Sequence, residues 1–182
     1  MKLAASLELY AYWNALRGTR IAPERYDIEP QGIRRVLPDA FVLDLDEREG
    51  CPFRVVGSRV NTLFMRELRG VSFLQIWREA DRAEILSTLR CAAERAQPFL
   101  LEGEAQSPDL SPLEFEATLL PLRHGSTHSR ALGSIVAGET PDWLRLIGAG
   151  PATLTGRHAL DPVAPRVRAP AGDRNWSATL TM

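Results

Sequence analysis

Residues 41–77 read FVLDLDEREGCPFRVVGSRVNTLFMRELRGVSFLQIW, and the period of their apolar positions changes partway along. Phe41, Leu43 and Leu45 alternate with Asp44 and Asp46, so residues 40–46 predict a strand with one apolar face. Residues 47–50 are polar and end in a glycine, and Phe53, Arg54, Val55 and Val56 form a second β run. A connection that short makes the two runs a hairpin. After Gly57 the spacing becomes helical: Ser58 is placed as an N-cap, Val60, Leu63, Phe64 and Leu68 form a stripe, and Gly70 closes it. Ser72 and Gln75 have capping-box spacing ahead of one further turn over residues 73–77.

Downstream, Asp81 and Glu84 repeat that spacing before a longer helix carrying Ile85, Leu86, Leu89, Ala92, Ala93 and Ala96, which Pro98 ends. Three β segments follow, over residues 99–105, 113–122 and 131–138. In the second, Leu113, Phe115, Ala117 and Leu119 alternate with Glu114, Glu116 and Thr118, and a polar HGSTHS loop leads to the third. From about residue 148 glycines and prolines replace periodicity, which predicts a mobile tail over 148–182. Upstream, residues 4–17 predict an amphipathic helix through Ala5, Leu9, Tyr12, Trp13 and Leu16, stopped by Gly18. The expected division is an N-terminal helix and connector (1–38), a folded domain (39–147) and the tail. The fold class is α+β: a five-stranded antiparallel sheet with short helices on one face, and an extra helix free to cover the other face or an edge.

Composition excludes several classes. The chain has 182 residues, 22 basic against 23 acidic, for a net charge of -1. That balance gives no field to gather nucleic acid or an anionic membrane, and Arg34-Arg35 is only a dipeptide. No run of about 18 apolar residues is present to span a bilayer. Glu8 and Asn14 interrupt the N-terminal apolar stretch, so it does not read as a signal peptide. Two cysteines are too few for a disulfide framework, and a cytoplasmic location is expected.

The order of elements, with Gly57, Leu68, Gly70, Phe73 and Trp77 at their places in the opening hairpin and helices, resembles the PAS fold. More narrowly, LYAYWNALRGTRIAPERYDIEPQGIRRVLPDAFVLD at residues 9–44 is similar to a stand-alone PAS-type family of alphaproteobacteria, formerly a domain of unknown function. Tyr12, Trp13, Arg17, Gly18, Pro23, Arg25, Asp27, Ile28, Pro30, Leu37 and Pro38 carry that similarity. The resemblance spans about residues 5–140 and implies a non-catalytic sensory or protein-interaction module, regulating signalling by binding a ligand or docking a partner. PAS domains hold ligands in the cup between sheet and helices. Phe41, Val55, Leu63, Phe64, Phe73, Ile76, Trp77, Phe115 and Ile135 are the expected lining. They read first as ordinary core, and in a sharper reading as walls of a cavity for a small apolar or aromatic ligand.

No cofactor is predicted. Residues 80–97 contain no histidine to ligate haem, and the Asn-Cys-Arg motif of flavin-adduct PAS domains is missing. Cys91 reads as a small core residue, and Cys51, near Arg48 and Arg54, lacks a resolving partner. His124 and His128 are four apart in a glycine-serine loop, where that spacing does not set them on one face, and His158 lies in the tail. The carboxylate pairs Asp44/Asp46 and Glu114/Glu116 each share a strand face and read as the wet side of the sheet. A buried pair would instead point to the competing reading, a small cone-fold isomerase or hydrolase. The N-terminal helix has no place in a PAS core, so a homodimer burying Leu9, Tyr10, Trp13 and Leu16 is expected, beside a signalling-protein partner.

Overall fold

The computed structural model describes residues 1–105, 111–139, 144 and 148–161. Its regular elements are α1 (Ala4–Arg17), β1 (Ala40–Asp44), β2 (Phe53–Val56), α2 (Ser58–Phe64), α3 (Arg82–Arg95), β3 (Phe99–Ala105), β4 (Leu113–His124), β5 (Thr127–Ala137) and β6 (Thr153–Ala159). Short 3₁₀ turns fill the connections. The strands form one antiparallel sheet in the order β2-β1-β5-β4-β3-β6. The sheet and helices make the α+β PAS-like arrangement, with α2, α3 and the turns between them on one face and α1 on the other.

Alternation decides which side chain goes where. Phe41, Leu43, Phe53, Leu101, Phe115, Ala117 and Ile135 point into the cup and join the larger core cluster with Val60, Leu63, Phe73, Ile76, Trp77, Ile85 and Leu89. Aromatic rings there lie directly on glycines: a Cβ on Gly133 would strike the Phe41 ring, and one on Gly103 the Phe115 ring. Any larger residue at either place would displace a core phenylalanine.

The opposite face is apolar as well at its centre. Leu120, Leu122 and Leu132 form a second cluster with Leu9 and Trp13 of α1, together with Ile33, Val36 and Ala96. Leu9 and Trp13 are fully buried, and the Trp13 indole N–H donates to the Pro121 carbonyl at 2.8 Å. The helix thus has a place within the chain, and Leu9 and Trp13 are not free to bury a second copy. Its N-cap residue, Leu3, provides no side-chain acceptor. Glu116 takes that role from across the sheet, accepting from the backbone N–H groups of Lys2 (2.5 Å) and Leu3 (3.2 Å). A carboxylate at this end of a helix satisfies amides that the helix leaves open and complements its dipole.

Several boundaries differ from the sequence expectation. The sheet has six strands, because residues 153–159 pair with β3 instead of continuing a tail. The segment leading to them is anchored too: Ala149 N–H donates to Leu63, Ala152 N–H to Ile76, and Arg78 N–H to Ala152. Asp81 does not cap α3; its carboxylate accepts from Leu154 N–H at 3.0 Å and fixes the start of β6. The remainder of the expected tail, residues 162–182, lies outside the described residues.

The α2 helix stops at Phe64, where Met65 takes a left-handed conformation, so Leu68 reaches the core from a loop. Asn61 Oδ1 accepts the Leu68 N–H there. The HGSTHS loop shrinks to Gly125-Ser126, since His124 pairs with Thr127 across the turn. Gly125, at φ 65°, supplies the left-handed residue that such a tight turn needs.

Trp13→Ala should cost about 3–5 kcal/mol through the vacated volume. Glu116→Ala should cost about 1–3 kcal/mol by stripping two amides of a charged acceptor. Urea denaturation measures both, and amide exchange should rise over residues 4–13 in each variant. Unchanged stability in the Trp13 variant would mean that α1 is not part of the folded unit.

Candidate functional site

The expected cup lining comes together with one exception. Phe41, Leu63, Phe64, Phe73, Ile76, Trp77, Phe115 and Ile135 are all buried in the same cluster. The aromatic rings run in a chain of edge-on and tilted contacts. Phe41 meets Phe53 at 5.3 Å, Phe53 meets Phe73 at 5.6 Å, Phe73 meets Trp77 at 6.0 Å, and Trp77 meets Phe115 at 5.6 Å. These separations are favourable for aromatic pairs, so much of the cup is occupied by its own side chains. Phe53 belongs to this chain although the sequence reading omitted it.

One polar atom stands out in that interior: the Trp77 indole N–H is buried and has no acceptor among the described residues. Buried donors are almost always paired, by protein or by ordered water.

Val55 is the exception. It is 53% exposed, because it pairs with Val42 on the outer face while Phe41 and Phe53 turn inward. A register shift between Val42 and Leu43 allows both phenylalanines to face the cup. Val55 lines instead an apolar groove of about 180 Å³, whose walls include Arg25, Ile28, Leu37 and Val42.

The wall of that groove is built by the connector after α1. Arg20 donates to the Leu16 carbonyl (2.6 Å) and to the Asp27 carboxylate (2.7 Å), tying the end of α1 to the turn at Arg25–Asp27. The backbone N–H of Glu24 and the Arg20 guanidinium hold the Asp27 carboxyl below the usual carboxylate range. The Tyr12 hydroxyl accepts from Glu29 N–H at 2.9 Å and donates to the Glu29 carbonyl at 3.2 Å.

On the other half of the outer face, a cleft of about 300 Å³ is lined by Glu102, Glu104, Glu114 and Glu116. Cross-strand register sets Glu102 opposite Glu116 and Glu104 opposite Glu114. The Glu114/Glu116 pair is therefore not uniformly wet: Glu114 is exposed, whereas Glu116 is buried beneath the residues preceding α1. The same split separates the other pair. Asp46 is exposed and accepts from Arg48 N–H, while Asp44 is buried and ion-paired with Arg54 and Arg130. Burial pushes the Asp44 carboxyl up, but the two guanidiniums outweigh it and hold the group below its ordinary value.

Asp39 is also buried; desolvation raises it despite the opposing Arg59 guanidinium. Asp39, Asp44 and Glu116, the buried carboxylates among the described residues, thus each have a cation or amide partner, the arrangement of structural rather than proton-shuttling groups.

The dimer residues separate in the same way. Leu9 and Trp13 are spent on the sheet, whereas Tyr10 and Leu16 are half-buried. The Tyr10 hydroxyl donates to the Asp161 carbonyl at 2.8 Å.

Among the remaining candidates, His124 sits opposite Thr127, which places His128 on the other strand face, so the two do not converge. His158 belongs to β6, with its Nε2 3.3 Å from Glu102. Among the described residues no group of three metal-ligating side chains converges, and no helix is long and apolar enough to cross a membrane. Cys51 is fully buried, and desolvation, then nearby carboxylates, push its thiol up to about 12. The thiolate needed for redox chemistry is thereby suppressed.

The sequence model of a family described as the PAS domain matches residues 1–136 of the 182. No curated protein matches the chain.

Cys91, half-buried on α3, should react with iodoacetamide in the native protein while Cys51 stays protected until unfolding; mass mapping of the alkylated sites reads this directly. Rapid native labelling of Cys51 would contradict its burial. The lowered Asp44 group stabilises the fold above the unfolded carboxylate value near ~3.9 and loses that contribution as pH falls through its lower folded value. Asp44→Asn should therefore be less stable than the parent at neutral pH, with the gap closing below about pH 3–4 in an acid titration.

Proposed function

The chain belongs to the PAS domain family, whose members are signalling and sensory modules, and from that membership we propose that this one acts without catalysis, by docking a protein partner. The observation that carries the reading is how the apolar surface is distributed. The cup is packed by rings in mutual contact, whereas Leu37 and Val55, two of the exposed large apolar side chains, lie together where the connector meets β1 and β2 and line one groove there. Apolar groups that remain at a surface, beside a rigid wall, are what a partner can cover. The paired state of Asp39, Asp44 and Glu116 speaks against the competing isomerase or hydrolase, which needs a carboxylate free to exchange a proton. A homodimer would have to use surfaces other than the buried stripe of α1.

A second reading rests on Trp77. A buried indole N–H with no acceptor among the described residues suits a small ligand carrying one acceptor on an otherwise apolar frame. Native mass spectrometry of the purified chain separates the two. The docking reading expects the bare mass of the chain. A retained small-molecule mass that disappears in Trp77→Phe would favour ligand sensing and remove partner docking as the first reading.

A further inference from the structure

We propose that the groove between the connector and the outer face of β1 and β2 receives an apolar anchor residue carried on an acidic segment of a partner protein. This rests on the docking reading above and names the surface and the chemistry of what docks there.

Size comes first. At about 180 Å³ the groove is smaller than the roughly 300–1,000 Å³ of pockets that enclose a whole small molecule. It matches the hot-spot geometry of protein interfaces, in which one or two apolar side chains insert into a preformed depression. Its lining is nearly all apolar: Ile28, Leu37, Val42 and Val55 form the accessible walls. Leu37 is 38% exposed and Val55 53% exposed, so both have surface left to cover.

Charge supplies the second argument. Arg25 lines the groove, and Arg34 and Arg35 lie in the same stretch of chain, between the lining residues Ile33 and Leu37. None of these three has an ion-pair or hydrogen-bond partner among the described residues. The neighbouring acids are already engaged: Glu24 with Arg123 and Asp27 with Arg20. The exposed Glu29 leaves one carboxylate against three guanidiniums. Arginine without an internal partner at an apolar rim is suited to carboxylates, which it binds in bidentate fashion. The excess positive charge also disfavours a basic segment.

Rigidity is the third. The Arg20, Tyr12 and Trp13 bonds described above fix the connector to α1 and β4, so the wall does not have to order on binding.

The test uses the full chain and an array of acetylated 12-residue peptides. Each holds one or two Leu, Phe or Trp residues among Asp and Glu; matched controls carry Lys in place of the acids, or Ser in place of the apolar residues. Binding is expected for acidic-apolar peptides alone, weakening as salt is raised. Val55→Glu and Arg25→Glu, both at accessible positions, should each lower affinity at least tenfold while leaving the circular dichroism spectrum unchanged. Preference for the Lys peptides, or affinity untouched by both substitutions, would overturn the proposal, as would binding to no acidic-apolar peptide. Chemical-shift mapping distinguishes this failure from failure of the docking reading, because a peptide bound elsewhere on the chain spares the latter. A self-associated form that Val55→Glu dissociates in light scattering would assign the groove to a second copy and also overturn the inference.

Discussion

A sheet whose central strands are apolar on both faces cannot stand with one face in water, and that requirement organises this molecule. β4 carries Phe115, Ala117 and Leu119 toward the cup and Leu120 and Leu122 away from it, and β5 adds Ile135 on the first side and Leu132 on the second. The hydrophobic stabilisation of each face is collected only when something covers it. The short helices cover the cup. The outer face is covered by α1, with Trp13 as its largest contribution and Pro121 as the acceptor that makes the burial of its indole N–H affordable.

The same face explains where the polar groups are put. Beyond the apolar centre, β3 and β4 oppose carboxylate to carboxylate, Glu102 to Glu116 and Glu104 to Glu114, which is unfavourable unless the charges find cations or amides. Glu116 finds the amides at the start of α1, and Glu102 has Lys2 and His158 within reach. The helix is thus held at one end by a carboxylate and along its length by leucine and tryptophan. Past the end of α1 the connector borders the outer face of β1 and β2, and Arg25, Ile28, Leu37 and Val55 line a groove between them.

Much of the architecture was legible because it depends on period. Alternation marked β1 and β4, and three- and four-residue spacing marked α1 and α3. Where the reading went astray, a distant partner decided the outcome. Residues 153–159 have weak alternation and a central glycine, so they read as tail; the edge of β3 and the Asp81 carboxylate recruit them as a strand. Asp81 looked like a cap for the helix beside it and serves a segment far along the chain instead. Val55 sits in a run of β formers, and only the register shift between Val42 and Leu43 shows that it faces out.

The sequence by itself determined the α+β class, the hairpin and the order of the first eight elements, since each follows from local periodicity and residue type. The tertiary structure decided which face α1 covers, that Leu9 and Trp13 are used within the chain, that β6 exists, and that Arg25 lines a groove with the exposed Leu37 and Val55. These rest on contacts such as Trp13 with Pro121 and Asp81 with Leu154, between residues far apart in the chain. A one-dimensional pattern records what each side chain prefers; which of the many residues able to satisfy that preference does so is settled only when the chain closes on itself.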